Sequence, residues 1–224
     1  MLSDKKYLLS IDPGMSSGIA LLSYTDDTIP VLEHSWQFYG GVGKFRQWVR
    51  MHWFGERYDL ERDKILPAGI DMWGEGLNFY AKCGYTDFEG NLVEGNLQVI
   101  CEKFQPRPSS TTGFEHSSET VEPLLCEGVL LQAYMMPLYD KKEVLWRQPS
   151  HQYLVGGKDL ADKKKRQHRF LKEAGYYVTN KMYPESRKRD AADDVRSAIA
   201  HGLSFLSRTG HMPTYELLAD WITE

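Results

Sequence analysis

The chain is short of cysteine: three residues in 224, Cys83, Cys101 and Cys126, widely spaced and with no CxxC pair. An odd number at such spacings excludes a disulfide framework or a structural zinc site as the basis of the fold and points to a reducing compartment. No apolar run approaches the ~18 residues that a membrane-spanning helix needs, so no membrane partner is expected. The opening "MLSDKKYLLSID" lacks the long apolar core and small-residue cleavage site of a secretory leader, which makes the cytoplasm the expected compartment. Repeats, low-complexity tracts and obvious linkers are missing too. What is there is an ordinary soluble globular composition, 42% hydrophobic and 26% charged, long enough for one sizeable core.

The net charge of −4 conceals an asymmetry. From Lys141 to Arg189 there are 14 Lys and Arg against 5 Asp and Glu, which leaves 13 basic and 26 acidic residues elsewhere. Basic runs are common on solvated helix faces. A surplus of this size in one block also suits a polyanionic partner.

Hydrophobic patterning predicts an α/β domain with a mixed sheet. "KYLLSID" is a nearly continuous apolar run, as expected of a strand buried on both faces. "PGMSSG" is turn chemistry and "IALLSY" a second strand, so residues 6–24 form a hairpin. "VLEHSWQFY" is a third strand, followed by a helix near "KFRQWVRMHWF"; "LQVICEKF" and "EVLWRQP" are further strands. "ETVEPLLCEGVLLQAYMM" and "KDLADKKKRQHRFLKEAG" have helical length and spacing, the second closed by Gly175. A last long helix carries "KRDAADDVRSAIAHGLSFL". Early strands that then alternate with helices make one α/β unit over residues 1–224, with an insertion at about 58–96.

Several motifs carry candidate chemistry. "GGVGKF" is not a phosphate loop, because Phe38 and Phe45 stand where a Walker A sequence needs Gly and Ser or Thr. Asp12 ends the first strand in "IDPG", which is also a common turn start. Glu102 shares a strand face with Ile100 and Phe104, and a buried carboxylate there needs a partner or a cation. In the last helix Ala191, Val195, Ala198, Ile199, Gly202, Leu203 and Leu206 form a packing face. Asp190, Asp194, Ser197 and His201 form a polar stripe beside it. Asp193 and Asp194 both lie one turn from Asp190, so helical geometry leaves open which of them acts with it. Acids at a helix N-terminus are favoured by the dipole, but a cluster of like charges repels unless a cation neutralises it. Hard carboxylate oxygens suit Mg²⁺, with Mn²⁺ as a substitute. Two such ions per site are a known solution for in-line attack on a phosphodiester.

The order of these motifs resembles the RuvC-type Holliday junction resolvases of the ribonuclease H-like superfamily. "LLSIDPGMSSGIALL" is similar to that family's first hairpin, "LQVICEKF" to its second ligand strand and "RDAADDVRSAIAH" to its C-terminal ligand helix. The resemblance implies a ribonuclease H-like mixed five-stranded sheet flanked by helices. It implies two Mg²⁺ ions held by Asp12, Glu102, Asp190 and Asp193, and so selects Asp193 over Asp194. "LLCEGVLLQAYMM" resembles the family's dimer helix, and "ADKKKRQHRFL" its DNA-contacting helix, with Lys163 at the place of a lysine implicated in catalysis. Lys164, Lys165, Arg166 and Arg169 would hold the backbone of branched DNA without reading bases. The family's junction aromatic is not matched at its usual offset; Phe104 or Phe114 would replace it. Residues 58–96 and the extra acid at Asp194 also depart from the pattern and point to a divergent, phage-encoded member.

The implied activity is metal-dependent cleavage of four-way junctions by a homodimer, whose two-fold symmetry matches two opposed cuts. Two other functions compete. An actin-like small-molecule kinase also opens with Asp-x-Gly in a hairpin but needs a second phosphate loop and an adenosine site. A non-catalytic junction-binding protein would keep the fold without metal-dependent nicking.

Overall fold

The computed structural model describes residues 5–53, 57–59, 64–66, 79, 84–86, 92–102, 118–135, 145–147, 154–179 and 193–222. β1 (Lys6–Asp12) is buried from Leu8 to Ile11, as its unbroken apolar run requires. It pairs antiparallel with β2 (Ser16–Tyr24) in a register that sets Asp12 opposite Gly18. The turn between them is closed by Ser17, whose hydroxyl donates to the Gly14 carbonyl at 3.1 Å and accepts from the Gly14 N–H at 3.2 Å. β3 (Val31–Tyr39) pairs antiparallel with β2, placing Gln37 opposite Gly18.

α1 (Gly41–Trp53) begins inside "GGVGKF", so those residues form the opening turns of a helix. Its Val42 N–H donates to Glu122 of α2 (Ser118–Met135) at 2.6 Å, a helix cap supplied from 80 residues away. Two short antiparallel pairs follow α1, β4 (Arg57–Asp59) with β5 (Lys64–Leu66) and β6 (Gly84–Thr86) with β7 (Leu92–Glu94). They occupy the stretch expected as an insertion and stand outside the main sheet. β8 (Leu97–Glu102) then runs parallel to β1, and β9 (Leu145–Arg147) runs parallel to β8. The sheet order is β3-β2-β1-β8-β9. A meander of three antiparallel strands continued by parallel ones is the mixed, ribonuclease H-like arrangement that the sequence led us to expect.

Alternation along the strands divides the core into two layers. Leu9, Ile11, Ile19 and Leu21 face α1 and α2. Leu8, Ala20, Leu22 and Ile100 face α3 (Leu160–Glu173), α4 (Asp193–Arg208) and α5 (Met212–Ile222). α3 is capped by the Asp159 carboxylate, which accepts from Asp162 N–H at 2.9 Å. The helix ends on Ala174, and Gly175 follows as the positive-φ residue beyond the cap. α5 was not anticipated from the sequence. Among its described side chains only Thr214 and Leu218 are buried, with Leu217 and Trp221 partly so; it packs on α4, and Trp221 meets Phe170 of α3 (5.5 Å between ring centroids).

A close approach of backbone to backbone lies at the start of α4. A Cβ placed on Gly18 would overlap the Asp194 carbonyl group and the Val195 nitrogen. Helix backbone therefore rests directly on strand backbone, which only glycine permits. Gly18→Ala is expected to lower stability in urea denaturation by about 3 kcal/mol or more, because the backbone cannot yield as a side chain can. Gly128→Ala, in open space on α2, should instead raise it by about 0.5–1 kcal/mol.

On the opposite layer His52 lies among Trp36, Trp48 and Phe79, at centroid distances of 5.1, 5.1 and 6.1 Å. Burial, with a smaller contribution from His34, pushes its pKa down to about 4. The unfolded chain takes up this proton near pH 6.5 and the folded chain does not. Stability should therefore fall between about pH 6.5 and 4, by up to about 3 kcal/mol from this residue. His52→Phe should flatten that slope in chemical denaturation at pH 7.5 and 5; an unchanged slope would exclude His52 as its source.

Candidate active site

β1 and β8 are parallel neighbours, so their C-terminal ends bring Asp12 and Glu102 to the same edge of the sheet. The turn after Asp12 is braced from outside: Gly40 and Gly41 N–H groups both donate to Met15 C=O, at 2.9 and 3.0 Å. The two carboxyls are within hydrogen-bonding reach of each other. Glu102 is also flanked by His201, whose Nε2 lies 3.4 Å from Glu102 Oε2 without hydrogen-bond alignment.

α4 lies across this edge with its polar stripe facing inward. Ser197 donates to Asp12, and the Asp194 charge is felt by Asp12. His201 meets Glu102 two turns further on. Burial first, then the neighbouring charges of Glu102 and Asp194, holds the Asp12 carboxyl well above the usual carboxylate range. Burial likewise raises Asp194, against a hydrogen bond from Ser16 and with Asp193 and Glu102 adding repulsion.

Asp193 behaves in the opposite way. Its carboxylate accepts from Arg196 Nη2 at 2.5 Å and Lys164 Nζ at 3.0 Å, with His168 Nε2 at 3.6 Å. Burial opposes its charge, but these hydrogen bonds prevail and hold its carboxyl below the usual range. Arg196 is fully buried, donates also to Val178 C=O at 3.3 Å and lies 4.8 Å from the centre of the Tyr177 ring. Asp193 and Arg196 thus form a clasp that ties Lys164 of α3 to the first turn of α4.

The structure therefore brings Asp12 and Glu102 within hydrogen-bonding reach and sets Asp194 near enough for its charge to act on both, and it turns Asp193, the residue favoured by the resemblance, towards cations. Asp190, Phe104 and Phe114 lie outside the described residues. On α3, Lys163 is half-buried beside Gly157, Lys164 reaches Asp193 and Lys165 is exposed. Arg166 is half-buried, and Arg169 pairs with Glu173 at 2.7 Å and sits over Trp221. Sequence reasoning missed Gln37, whose amide contacts Asp194, since nothing local links a β3 residue to a helix 157 positions away. It also missed Arg196, although the i, i+3 spacing from Asp193 was a usable signal.

The donor set fits a divalent cation in chemistry: hard oxygens, like charges and burial that disfavours their ionisation. Among the described residues no three His, Cys, Asp or Glu side chains close into a ready-made metal cage. Nor, among those residues, is any helix long and apolar enough to cross a membrane.

No protein-family model matches the chain, and no curated protein matches it either. Solved structures similar to it include two of RuvC from Thermus thermophilus. A Thermus thermophilus RuvC in complex with a Holliday junction substrate shares 16% identity, over 92% of this chain and 97% of that one, with a TM-score of 0.46. A second Thermus thermophilus RuvC structure shares 15% identity over the same fractions, with a TM-score of 0.44.

Opposite electrostatic settings predict opposite effects on stability. In metal-free buffer at pH 7, Asp12→Asn and Asp194→Asn should each stabilise the protein by about 1 kcal/mol, by removing a buried, repelled charge. Asp193→Asn should destabilise it by about 1–2 kcal/mol, because Arg196 loses its anion. Urea denaturation in the presence of a chelator reads all three, and the same sign for Asp193 and Asp194 would contradict the assignment.

Proposed function

We propose that this chain is a metal-dependent, structure-selective endonuclease acting on branched DNA, with four-way junctions as the main substrate. The observation that carries this reading is the meeting of Asp12, Glu102 and Asp194, from three distant segments, at one sheet edge beside a basic helix. Such a group of carboxylates costs stability, and a function that needs a cation explains why it is kept. Asp12, Glu102 and Asp194, together with Asp190, would hold Mg²⁺ or Mn²⁺. The chemistry that bound metal supplies is activation of water and neutralisation of charge on the leaving oxygen.

The remaining roles belong to the chain's own side chains. Ser197 steadies Asp12 through its hydrogen bond, and His201 stands beside Glu102 where it can orient that carboxylate. Lys163 would offset charge developing on the scissile phosphate. Lys165 and Arg166 would contact the phosphate backbone, which makes recognition depend on shape and on salt. Lys164 is held by Asp193, so it contributes to the field of the groove and fixes the position of α3. Paired cuts in opposed strands call for a two-fold dimer, and α2 offers Leu124 and Leu125, both exposed, for such an interface.

Asp12→Asn should retain binding to a labelled four-way junction while Mg²⁺-dependent cleavage falls by about a thousandfold or more, the scale expected when a group central to transition-state charge is lost. Undiminished cleavage would sink this site. A panel of four-way, three-way, flap and linear DNA would define the substrate range.

A further inference from the structure

We propose that Gln37 is a positioning residue: it aims the Asp194 carboxylate at the metal site while leaving its charge uncompensated. The inference rests on the functional reading above. Its basis is a single row across the sheet, Asp12 on β1, Gly18 on β2 and Gln37 on β3, which lies beneath the first turn of α4. Neighbouring strands are about 4.8 Å apart, and Gly18 has no side chain. Asp12 and Gln37 therefore flank the helix start from its two sides.

Both ends of the Gln37 amide are engaged. Its Oε1 accepts from the Val195 N–H at 3.2 Å, one of the N–H groups that a helix start leaves without an internal partner. Its Nε2 donates to Asp194 Oδ2 at 3.0 Å and to Ser16 Oγ at 3.3 Å. Because a backbone N–H can be met only by the oxygen end, the amide cannot be reversed, and the NH₂ end must face Asp194. One side chain thus fixes both the backbone and the side chain at the start of α4.

The type of residue matters as much as its place. Asp193 and Asp194 are adjacent in sequence but held differently. Arg196 and Lys164 hold Asp193 by full positive charges, which neutralise it and would compete with a metal ion. Gln37 holds Asp194 by a neutral amide, which restrains the carboxylate and leaves its negative charge for a cation. A cation at position 37 would turn Asp194 into a second Asp193.

The test measures Mn²⁺ binding to the DNA-free protein by calorimetry, with thermal unfolding alongside. Gln37→Lys trades the Val195 cap for an ion pair with Asp194; it is expected to remain folded with a modest change in unfolding temperature while binding Mn²⁺ about tenfold or more weakly, the scale seen when a partner of a metal ligand is changed. A purely structural role would instead move stability and leave affinity alone. Gln37→Leu, which removes both contacts without adding charge, should also weaken Mn²⁺ binding, by about threefold to tenfold. Binding within twofold of wild type in both variants overturns the role of Gln37, provided Asp12→Asn abolishes binding. If Asp12→Asn binds Mn²⁺ like wild type, the metal-site reading itself fails, and the Gln37 proposal with it.

Discussion

Where α4 begins, its backbone lies on the backbone of β2, and the absence of a side chain at Gly18 is what allows it. Much else depends on that approach. It brings the polar stripe of α4 level with the ends of β1 and β8, so Ser197 reaches Asp12 and His201 reaches Glu102. It also brings the helix start within reach of Gln37 on the next strand. A side chain of any size at position 18 would lift the helix end and separate the strand carboxylates from the helical one.

The site is built from two neighbouring environments of opposite sign. On one side, burial and mutual repulsion hold Asp12 and Asp194 in a state that disfavours their charge. On the other, Asp193 is surrounded by Arg196, Lys164 and His168 and keeps its charge readily. One helical step separates them, because adjacent residues on a helix project about 100° apart. The clasp around Asp193 secures the basic helix α3 at a fixed distance from the carboxylates. A rigid mount for basic side chains beside an acidic cluster suits the phosphodiester substrate proposed above, whose backbone would be attracted to the one and whose reacting phosphate would lie near the other.

Much of the fold was legible in the sequence. The first hairpin, the third strand, the strand ending in Glu102 and the four longest helices follow from apolar period and turn chemistry, which are local properties. The ends of elements were less accurate: the helix after β3 starts at Gly41 because Glu122, on a distant helix, caps it. α5 escaped notice because it buries few of its side chains; it packs on α4, and Trp221 meets Phe170 of α3.

The sequence by itself determined that Asp194, Ser197 and His201 share one stripe of a helix, since a 3.6-residue period leaves no other arrangement. It also determined that Asp12 ends one apolar strand and that Glu102 lies in another. Which of two adjacent aspartates faces them, and which faces cations, is visible only in the tertiary structure. Helical geometry left the choice open, and motif order pointed to Asp193. Of the partners that separate the two, Arg196 is one helical turn away, but Gln37 on β3 and Lys164 on α3 lie 157 and 29 residues away in the chain. No local pattern encodes contacts across such distances; they exist only once the sheet, the glycine and the helix have come together.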